Sequence, residues 1–391
     1  MQQEILALGL MSGTSGDGVD AILLGLASLT QPCLPRLLGS AALPFPPALT
    51  AALQRPAELS VQQLAELHQV TLPDAYAAAV QQIDGWQRAQ ICGMHGQTIW
   101  HQPPPHPLPC TYQIGNPAVL AQHLGLPVVS DLRTADMLLG GQGAPISPVA
   151  HWFFGRALAP ATDASLLVVN LGGICNLTYV TPELQDVLGY DVGPGMVLSD
   201  AFARLSSAGR LDCDRDGQLS AGGRRIDALM GEIAAHPFLQ RRPPKSTGKE
   251  DFGSHYFAPL LARYAAQATA ADVAFSLLAA TLEALAAAVA RDPNIDAAPR
   301  TLLLTGGGAK NPTLVGEARR LFPQSQVTVP ADGVFAPAHH EPAAMALIAA
   351  RTQAGLPSAI AGVTGARAAA VLGQVVWPMS RLAADALRPP A

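Results

Sequence analysis

The sequence predicts a mixed α/β protein built from two lobes. Apolar runs of strand length end repeatedly in glycine-rich turns, and they alternate with segments whose apolar residues recur at helical spacing. The chain has 391 residues, of which 49% are hydrophobic and 14% are charged. That length exceeds the usual range of a single domain, and the composition excludes an intrinsically disordered chain.

Charge and cysteine content exclude further classes of protein. The formal net charge is −5, which gives no basic field for a nucleic-acid backbone, so no nucleic-acid partner is expected. The five cysteines are scattered and form no C-x-x-C pair. This pattern argues against a disulfide framework or a zinc site.

The sequence also favours a cytoplasmic location. The N-terminus lacks the basic start and the small-residue cleavage site of a signal peptide. The longest apolar stretch, residues 273–290, contains Glu283 and is mostly alanine. Because alanine forms helices well but is weakly hydrophobic, we interpret this stretch as a buried helix and expect no membrane contact.

The first half of the chain begins with a predicted β-hairpin. An apolar run over residues 3–10 stops at a polar, glycine-rich cluster over 12–20, and a second apolar run covers 21–26. Apolar residues then recur at helical spacing from 61 to 86, and Pro73 is expected to divide that helix.

Two shorter apolar runs follow in this half. Residues 90–93 form a strand candidate that ends at the segment 95–98, and residues 128–129 lead towards the glycine-rich loop 140–143. The proline-rich segment 103–109 between them predicts a loop.

The second half starts in the same way as the first. An apolar run over 166–169 is followed by Asn170-Leu171-Gly172-Gly173 and by a second run over 177–180. This repetition suggests an internal duplication of one βββαβα unit. A third strand is predicted at 302–304, directly before Gly306-Gly307-Gly308 and a helical segment.

We place the boundary between the predicted lobes after residue 130, about a third of the way along the chain. Residues 1–130 are expected to form the N-terminal lobe and residues 131–366 the C-terminal lobe. The sequence leaves open whether the C-terminal segment 367–391 packs back onto the N-terminal lobe.

The first candidate binding segment is Gly13-Thr14-Ser15-Gly16-Asp17-Gly18-Val19-Asp20. Its glycines let backbone N–H groups converge on an anion, its hydroxyls add donors, and its carboxylates suit Mg²⁺-bound water. The alternative is an ordinary hairpin turn, since Asp-Gly is a favoured turn pair. No Walker A motif occurs in the chain, so phosphates would bind here by another route.

Two other segments have a functional and a structural interpretation. The glycines at 306–308 would let a nucleotide approach the backbone, or they form only a tight strand-to-helix connection. Asp191 precedes Gly193-Pro194-Gly195 and would present a carboxylate to a cleft, or it caps the helix expected near Met196. Spacing alone favours the cap.

The remaining candidates have weaker signals. His95 and His101 lack the spacing of a metal site. The segment Lys245-Ser246-Thr247-Gly248-Lys249 is interpreted as a solvated loop in preference to an anion contact. Glu341 precedes an apolar helix and could serve only the dipole of that helix.

The order of these segments is more specific than any one of them, and it resembles that of the anhydro-N-acetylmuramic acid kinases over about residues 7 to 370. The opening Leu10-Met11-Ser12-Gly13-Thr14-Ser15, with Asp17, Gly18 and Asp20, is similar to the start of that family's sequences. The other similar segments are His95-Gly96-Gln97-Thr98, Gln113-Ile114-Gly115-Asn116-Pro117, Asp131-Leu132-Arg133 with Asp136, Gly140 to Pro145, Asn170 to Gly173 with Asn176, Asp191 with its Gly-Pro-Gly, Asp214 to Gly217, Pro244 to Gly248, Gly306 to Gly308 and Val363 to Ala366.

The resemblance implies an actin-like ATPase fold of the ribonuclease H-like type, with two lobes and a nucleotide cleft between them. It implies ATP and Mg²⁺ as cofactors and 1,6-anhydro-N-acetylmuramic acid as substrate. The 1,6-anhydro ring would be opened hydrolytically and O6 phosphorylated, in the recycling of cell-wall peptidoglycan. The resemblance also implies a homodimer.

The resemblance assigns roles to individual residues. Asp191 matches the catalytic aspartate, and Asp17 or Asp20 is expected to bind Mg²⁺ through water. The residues expected to contact ATP are Gly13, Thr14, Ser15, Gly16, Asp17, Gly18, Val19, Asp20, Gly172, Gly173, Gly306, Gly307 and Gly308. The residues expected to contact the sugar are His95, Gln97, Thr98, Arg133 and Glu341.

Two departures from the family pattern keep alternatives open. Met196 stands where the family usually has asparagine, and Pro342 after Glu341 is unusual. The alternative within enzymes is another small-molecule kinase of the same fold. A non-catalytic actin-like nucleotide-binding protein is disfavoured, because the resemblance extends to the segments around His95 and Asp131, which such a protein does not need.

Overall fold

The computed structural model describes residues 4–13, 16–158, 165–247, 251–296 and 298–379. The chain divides into two compact units. Unit 1 comprises Met1–Leu158 and Ala338–Ala391, and unit 2 comprises Ala159–Pro337.

The described residues alternate between strands and helices along the chain. The strands are β1 (Ile5–Met11), β2 (Gly18–Leu26), β3 (Arg36–Pro44), β4 (Ile91–Met94), β5 (Gln97–Gln102), β6 (Cys110–Ile114), β7 (Val128–Ser130), β8 (Leu166–Leu171), β9 (Ile174–Val180), β10 (Leu188–Pro194), β11 (Thr301–Thr305), β12 (Gln326–Thr328) and β13 (Gln374–Val376). The α-helices are α1 (Pro47–Gln54), α2 (Val61–Glu66), α3 (Leu72–Gln81), α4 (Pro117–Leu124), α5 (Thr134–Leu138), α6 (Pro148–Leu158), α7 (Val197–Ser206), α8 (Asp227–Ala234), α9 (Pro237–Gln240), α10 (Ser254–Ala265), α11 (Ala270–Arg291), α12 (Pro312–Leu321), α13 (His340–Gln353) and α14 (Ala361–Thr364).

The two units share one strand order. The sheet of unit 1 has the order β13-β7-β4-β1-β2-β3, and that of unit 2 has the order β10-β9-β8-β11-β12. In each sheet three consecutive strands pair antiparallel, and two later strands extend the sheet in parallel from the first of them. This is the ribonuclease H-like order, so the predicted fold class and the predicted duplication are both confirmed.

The boundary between the units differs from the predicted one. Residue 130 ends β7, which pairs in parallel with β4 and therefore belongs to the sheet of unit 1. Helix α6 follows and packs on α13, so unit 1 continues to Leu158. The chain returns to unit 1 at Ala338, and β13 pairs with β7. Residues 380–391 of the C-terminal segment lie outside the described residues.

The predicted helix over residues 61–86 is present and interrupted. A π-helix, Leu67–Thr71, separates α2 from α3, and Pro73 lies in the first turn of α3. Within a regular α-helix, proline leaves one carbonyl oxygen without its N–H donor, and the proline ring clashes with the carbonyl group four residues earlier. The wider π-helical turn before Pro73 accommodates the ring and the missing donor.

Helix α13 lies unusually close to the sheet of unit 1. A Cβ atom built on Gly9 of β1 would overlap the Pro342 carbonyl oxygen, and one built on Gly93 of β4 would overlap that of Met345. Residues 342–352 of this helix are buried. The two glycines therefore let the backbone of α13 rest directly on the two central strands.

Helix α11 forms the centre of unit 2. By length and mean hydropathy (2.0) it is the one described helix that could cross a membrane, and 61% of that apolar window is buried within the protein. Leu277, Leu278, Leu282 and Leu285 are at most 1% exposed. The interpretation of this stretch as a buried helix is confirmed.

We predict that Gly93→Ala lowers the free energy of unfolding by about 1–3 kcal/mol, because the added methyl group forces α13 away from β4. Urea unfolding followed by circular dichroism measures the change. Gly316→Ala is the matched control, since a Cβ atom at that exposed position in α12 meets open space. It should be neutral or stabilising, and equal losses from both variants would contradict the close-packing explanation.

Candidate functional site

Polar segments of unit 1 gather at one edge of its sheet. Strands β1, β4 and β7 run parallel, so their carboxyl ends lie at the same edge. Gly13 follows β1, His95 follows β4 and Arg133 follows β7. The His95 N–H donates to the Leu10 carbonyl oxygen at 3.2 Å, which joins the first two of these segments.

The glycine-rich segment after β1 is the turn of the predicted hairpin. Met11 pairs with Asp20 across β1 and β2. Thr14 and Ser15, both predicted to contact ATP, lie outside the described residues. Val19 is 2% exposed and packs in the core, so its side chain faces away from solvent.

Backbone hydrogen bonds hold the described residues of this turn. The Gly16 N–H donates to the Gly13 carbonyl oxygen at 3.0 Å, and Gly16 has φ of +62°, a left-handed conformation that favours glycine. The Phe45 N–H donates to the Asp17 carbonyl oxygen at 2.8 Å. Gly18 then begins β2.

The carboxylates of the turn suit Mg²⁺ bound through water. Asp17 is exposed and Asp20 is half-buried, and both offer the hard oxygen ligands that Mg²⁺ prefers. In the described part of the chain no cluster of three or more His, Cys, Asp or Glu side chains could enclose a metal ion. Two carboxylates of one turn suit an ion that is held through its bound water molecules.

Gln97 lies beneath the turn and supports it. Its Oε1 accepts a hydrogen bond from Ser12 Oγ at 2.6 Å, and its Nε2 donates to the Gly13 carbonyl oxygen at 3.2 Å. The side chain is 1% exposed. Both ends of the amide contact the turn, so Gln97 supports the turn rather than presenting its amide to a sugar as expected.

The buried His95 ring contacts the half-buried Arg133 side chain. His95 Nδ1 donates to the Gly96 carbonyl oxygen at 2.8 Å, and Nε2 accepts from Arg133 Nη2 at 2.8 Å and from Nε at 3.1 Å. Burial, followed by the Arg133 charge, lowers the pKa of His95 to about 3. The ring is therefore neutral, and it fixes the direction of the guanidinium group.

The other two expected sugar contacts of unit 1 lie on different elements. Thr98 is the second residue of β5 and is half-buried, with Gln113 Nε2 at 3.4 Å from its Oγ1. Glu341 lies half-buried in the first turn of α13. Pro342 is tolerated in that turn because the first N–H groups of a helix have no intrahelical partner.

Asp136 is a buried residue to which the sequence assigned no role. Its Oδ2 accepts from the Gly143 N–H at 2.8 Å, and its Oδ1 accepts from Thr364 Oγ1 at 2.6 Å. The Gly143 carbonyl oxygen in turn accepts from Arg133 Nη1 at 2.8 Å. Asp136 thus links the glycine-rich loop 140–143 to Arg133. The only sequence signal for Asp136 was its place within the segments that resemble the family.

The corresponding edge of unit 2 carries two glycine turns that pack together. Gly172 and Gly173 follow β8, and their carbonyl oxygens accept from Met196 N–H at 2.8 Å and Gly195 N–H at 2.9 Å. Gly306 follows β11 with φ of +79°, where a Cβ atom would overlap the Asn170 side chain. Position 306 is therefore restricted to glycine both by its backbone conformation and by packing.

Two glycines of these turns face open space. Gly173 and Gly307 are exposed, and a Cβ atom on either would meet no atom within 4 Å. Gly308 differs, since a Cβ atom there would lie 2.7 Å from Met196 Sδ. Met196 therefore makes an apolar contact where the family pattern would place a polar side chain.

Asp191 is buried in β10 and is not the cap of a helix. It is 7% exposed, and its Oδ2 accepts from the Thr247 N–H at 2.8 Å. Helix α7 begins after Met196 without a side-chain cap. The capping interpretation was wrong, because a bulge between Asp191 and Gly193 turns the strand before the helix begins.

Lys245 contradicts the interpretation of its segment as a solvated loop. The side chain is 8% exposed, and its Nζ lies 3.3 Å from the Val192 carbonyl oxygen and 4.5 Å from the centre of the Phe238 ring. Gly248 and Lys249 of the same segment lie outside the described residues.

The matching family model and the similar proteins all indicate the same family. The family model described as anhydro-N-acetylmuramic acid kinase matches residues 5–378. A protein of that name from Chromohalobacter salexigens is 38% identical over 379 residues, covering 94% of this chain and 98% of the relative. Another from Shewanella amazonensis is 33% identical over 376 residues, covering 94% and 97%.

A solved structure gives a more remote likeness. Component A of (R)-2-hydroxyglutaryl-CoA dehydratase from Acidaminococcus fermentans aligns with 10% identity and a TM-score of 0.45, covering 90% of this chain and 99% of that one. The fold class is assigned from the strand order of the two sheets and not from this likeness.

We predict that His101→Gln weakens the pH dependence of stability. Burial, followed by the Arg133 charge, lowers the pKa of His101 to about 4, whereas the unfolded residue titrates near about 6.5. Between these values only the unfolded chain binds the proton, so the free energy of unfolding falls as the pH falls from about 6.5 to 4.

Urea unfolding at several pH values measures this slope, which should decrease in His101→Gln by about 1.4 kcal/mol per pH unit, the equivalent of one proton. His106→Gln, at an exposed position of the loop that joins β5 to β6, controls for the substitution itself. An unchanged slope in His101→Gln would contradict the neutral, buried ring.

Proposed function

The chain belongs to the anhydro-N-acetylmuramic acid kinase family, and from this premise we propose that it uses ATP to open 1,6-anhydro-N-acetylmuramic acid and to phosphorylate O6. The products are N-acetylmuramate 6-phosphate and ADP, and the role is the recycling of cell-wall peptidoglycan. The observation that carries the proposal is the Asp191 carboxylate, buried at a strand bulge and oriented by the Thr247 amide.

Asp191 acts as general base in the proposed reaction. A water oxygen bonds to the anomeric carbon and its proton passes to the Asp191 carboxylate, while the electron pair of the C1–O6 bond goes to O6. O6 then bonds to the γ-phosphorus, and the bond to the ADP oxygen breaks. The Thr247 N–H at Oδ2 favours the ionised carboxylate and fixes its plane.

The proposed nucleotide contacts come from the glycine turns of each unit. The turn from Gly13 to Asp20 is suited to phosphate oxygens, since its backbone is fixed from below by Gln97. Gly173 and Gly307 are suited to the adenosine, because their exposed backbone admits a flat ligand. Mg²⁺, held through water by Asp17 or Asp20, supplies neutralisation of phosphate charge.

The proposed sugar contacts are His95, Thr98, Arg133 and Glu341. Among them Arg133 has the best-defined direction, since the neutral His95 ring and the Gly143 carbonyl oxygen hold its guanidinium group. A guanidinium group held in this way suits a carboxylate, such as that of the lactyl group. We also propose that the protein is cytoplasmic and that it forms a homodimer; the homodimer rests on the family resemblance alone.

The test is release of ADP by the purified protein with ATP and Mg²⁺, with and without the anhydro sugar. We expect release that depends on the sugar, together with a sugar phosphate identified by mass spectrometry. The absence of sugar phosphate would refute the proposal. Turnover of glycerol, acetate or a hexose instead would favour a kinase with another acceptor, for which the apolar contact of Met196 is the supporting observation.

We predict that Asp191→Asn lowers kcat by about 10²–10⁴-fold, the usual contribution of a general base. The asparagine oxygen still accepts from the Thr247 N–H, so the fold and the affinity for ATP should remain near those of the wild type. Asp186→Asn, at an exposed position before β10, is the control. Near-normal turnover by Asp191→Asn would show that another group takes the proton.

A further inference from the structure

We infer that Lys245 is a positioning residue for Asp191, whose buried ammonium group holds the β10 bulge that directs the carboxylate. This inference rests on the proposed function for the catalytic role of Asp191. The positioning itself rests on two contacts between the Lys245 segment and β10 and on the anchoring of the Lys245 side chain.

The first contact is with the bulge. Asp191 pairs with Asn176 and Gly193 pairs with Cys175, so Val192 is the extra residue without a partner in the ladder. A bulge turns the neighbouring side chain and removes the extra residue from the regular hydrogen bonds of the sheet. Lys245 Nζ donates to the Val192 carbonyl oxygen at 3.3 Å and so satisfies the group that the bulge displaces.

The second contact joins the backbones. The Asp191 N–H donates to the Lys245 carbonyl oxygen at 3.1 Å, and the Thr247 N–H donates to Asp191 Oδ2 at 2.8 Å. One short segment therefore holds both the backbone and the carboxylate of Asp191. Any shift of residues 245–247 would move the carboxylate with it.

The third observation is the way the Lys245 side chain anchors this segment. Nζ also donates to the Phe238 carbonyl oxygen at 3.4 Å and lies 4.5 Å from the Phe238 ring centre and 5.9 Å from that of Tyr190. Burying an ammonium group is costly unless carbonyl oxygens and aromatic faces replace its water. This lysine has both, so its burial is specific.

Charge adds a second effect on Asp191. The charged and titratable groups around Lys245 are Arg291, Asp191, Arg241 and Cys175. Burial, followed by Arg291, lowers the pKa of Lys245 to about 8, and Asp191 opposes this shift. Lys245 is therefore mainly a cation at neutral pH. A nearby cation favours the ionised carboxylate, which is the form that accepts a proton.

The test compares Lys245→Met with the wild type and with Arg263→Met. Arg263 also lies over an aromatic ring of unit 2, that of Tyr264 at 5.1 Å, and its ion pair is with Glu232 rather than with β10.

For Lys245→Met we expect kcat to fall by about 10–100-fold, the scale of a misdirected catalytic group, with KM for ATP unchanged. The acidic limb of the rate profile should move up by about 1 pH unit, because the carboxylate loses its cation. Arg263→Met should match the wild type.

A second variant separates the ammonium group from the volume of the side chain. Lys245→Ala lacks the three carbons and the nitrogen beyond Cβ, and propylammonium has the same atoms. We expect added propylamine to restore part of the lost turnover and 1-propanol of similar size to restore none. Equal effects of the two additives would reduce Lys245 to a packing residue and overturn the inference.

Amide hydrogen exchange tests the positioning without any substrate. The Asp191 amide donates to the Lys245 carbonyl oxygen. This amide should exchange faster in Lys245→Met than in the wild type, and its exchange rate in Arg263→Met should equal that of the wild type. An Asp191 amide exchange rate in Lys245→Met within about threefold of the wild-type rate would overturn the inference. Failure of the proposed function is distinguishable, since it appears as absent sugar-dependent turnover in the wild type.

Discussion

The close approach of helix α13 to the sheet of unit 1 is the constraint on which much of the structure depends. Gly9 and Gly93 admit the helix backbone directly against β1 and β4, which leaves no space for a side chain between them. This contact buries almost the whole helix and completes the core of unit 1. It also brings Glu341, in the first turn of the helix, close to β1, whose carboxyl end leads into the glycine-rich turn.

The two units have the same strand order, but the groups at the ends of their strands differ. In unit 1 Gln97 bonds to Ser12 and to the Gly13 carbonyl oxygen, so the start of the hairpin turn after β1 is held in place. In unit 2 the matching turn packs against Gly195 and Met196, and the distinctive feature is the β10 bulge that buries Asp191. A duplicated sheet thus carries the glycine-rich turn that we propose to bind phosphate in one copy and the Asp191 carboxylate in the other.

Local patterns predicted the central strands of both sheets, the helix that is divided near Pro73 and the glycine turns, because each depends on neighbouring residues. The lobe boundary was misplaced because β7 has only three residues and gives no sign of the helices that continue unit 1. The burial of Lys245 depends on Val192, 53 residues away, and the bond between Asp136 and Thr364 spans 228 residues. Asp214 similarly contacts Asn311 across 97 residues, so this family-like segment is a structural turn that no local pattern reveals.

The return of the chain to unit 1 has a consequence for synthesis on the ribosome. Unit 2 is continuous in sequence, from Ala159 to Pro337, and its strands and α11 are all available once that stretch has emerged. Unit 1 is discontinuous and must wait for α13 and β13, which are translated after the whole of unit 2. Until then the apolar face of β1 and β4 has no cover, so the first sheet to be made is the last to be completed, and it needs protection from aggregation in the interval.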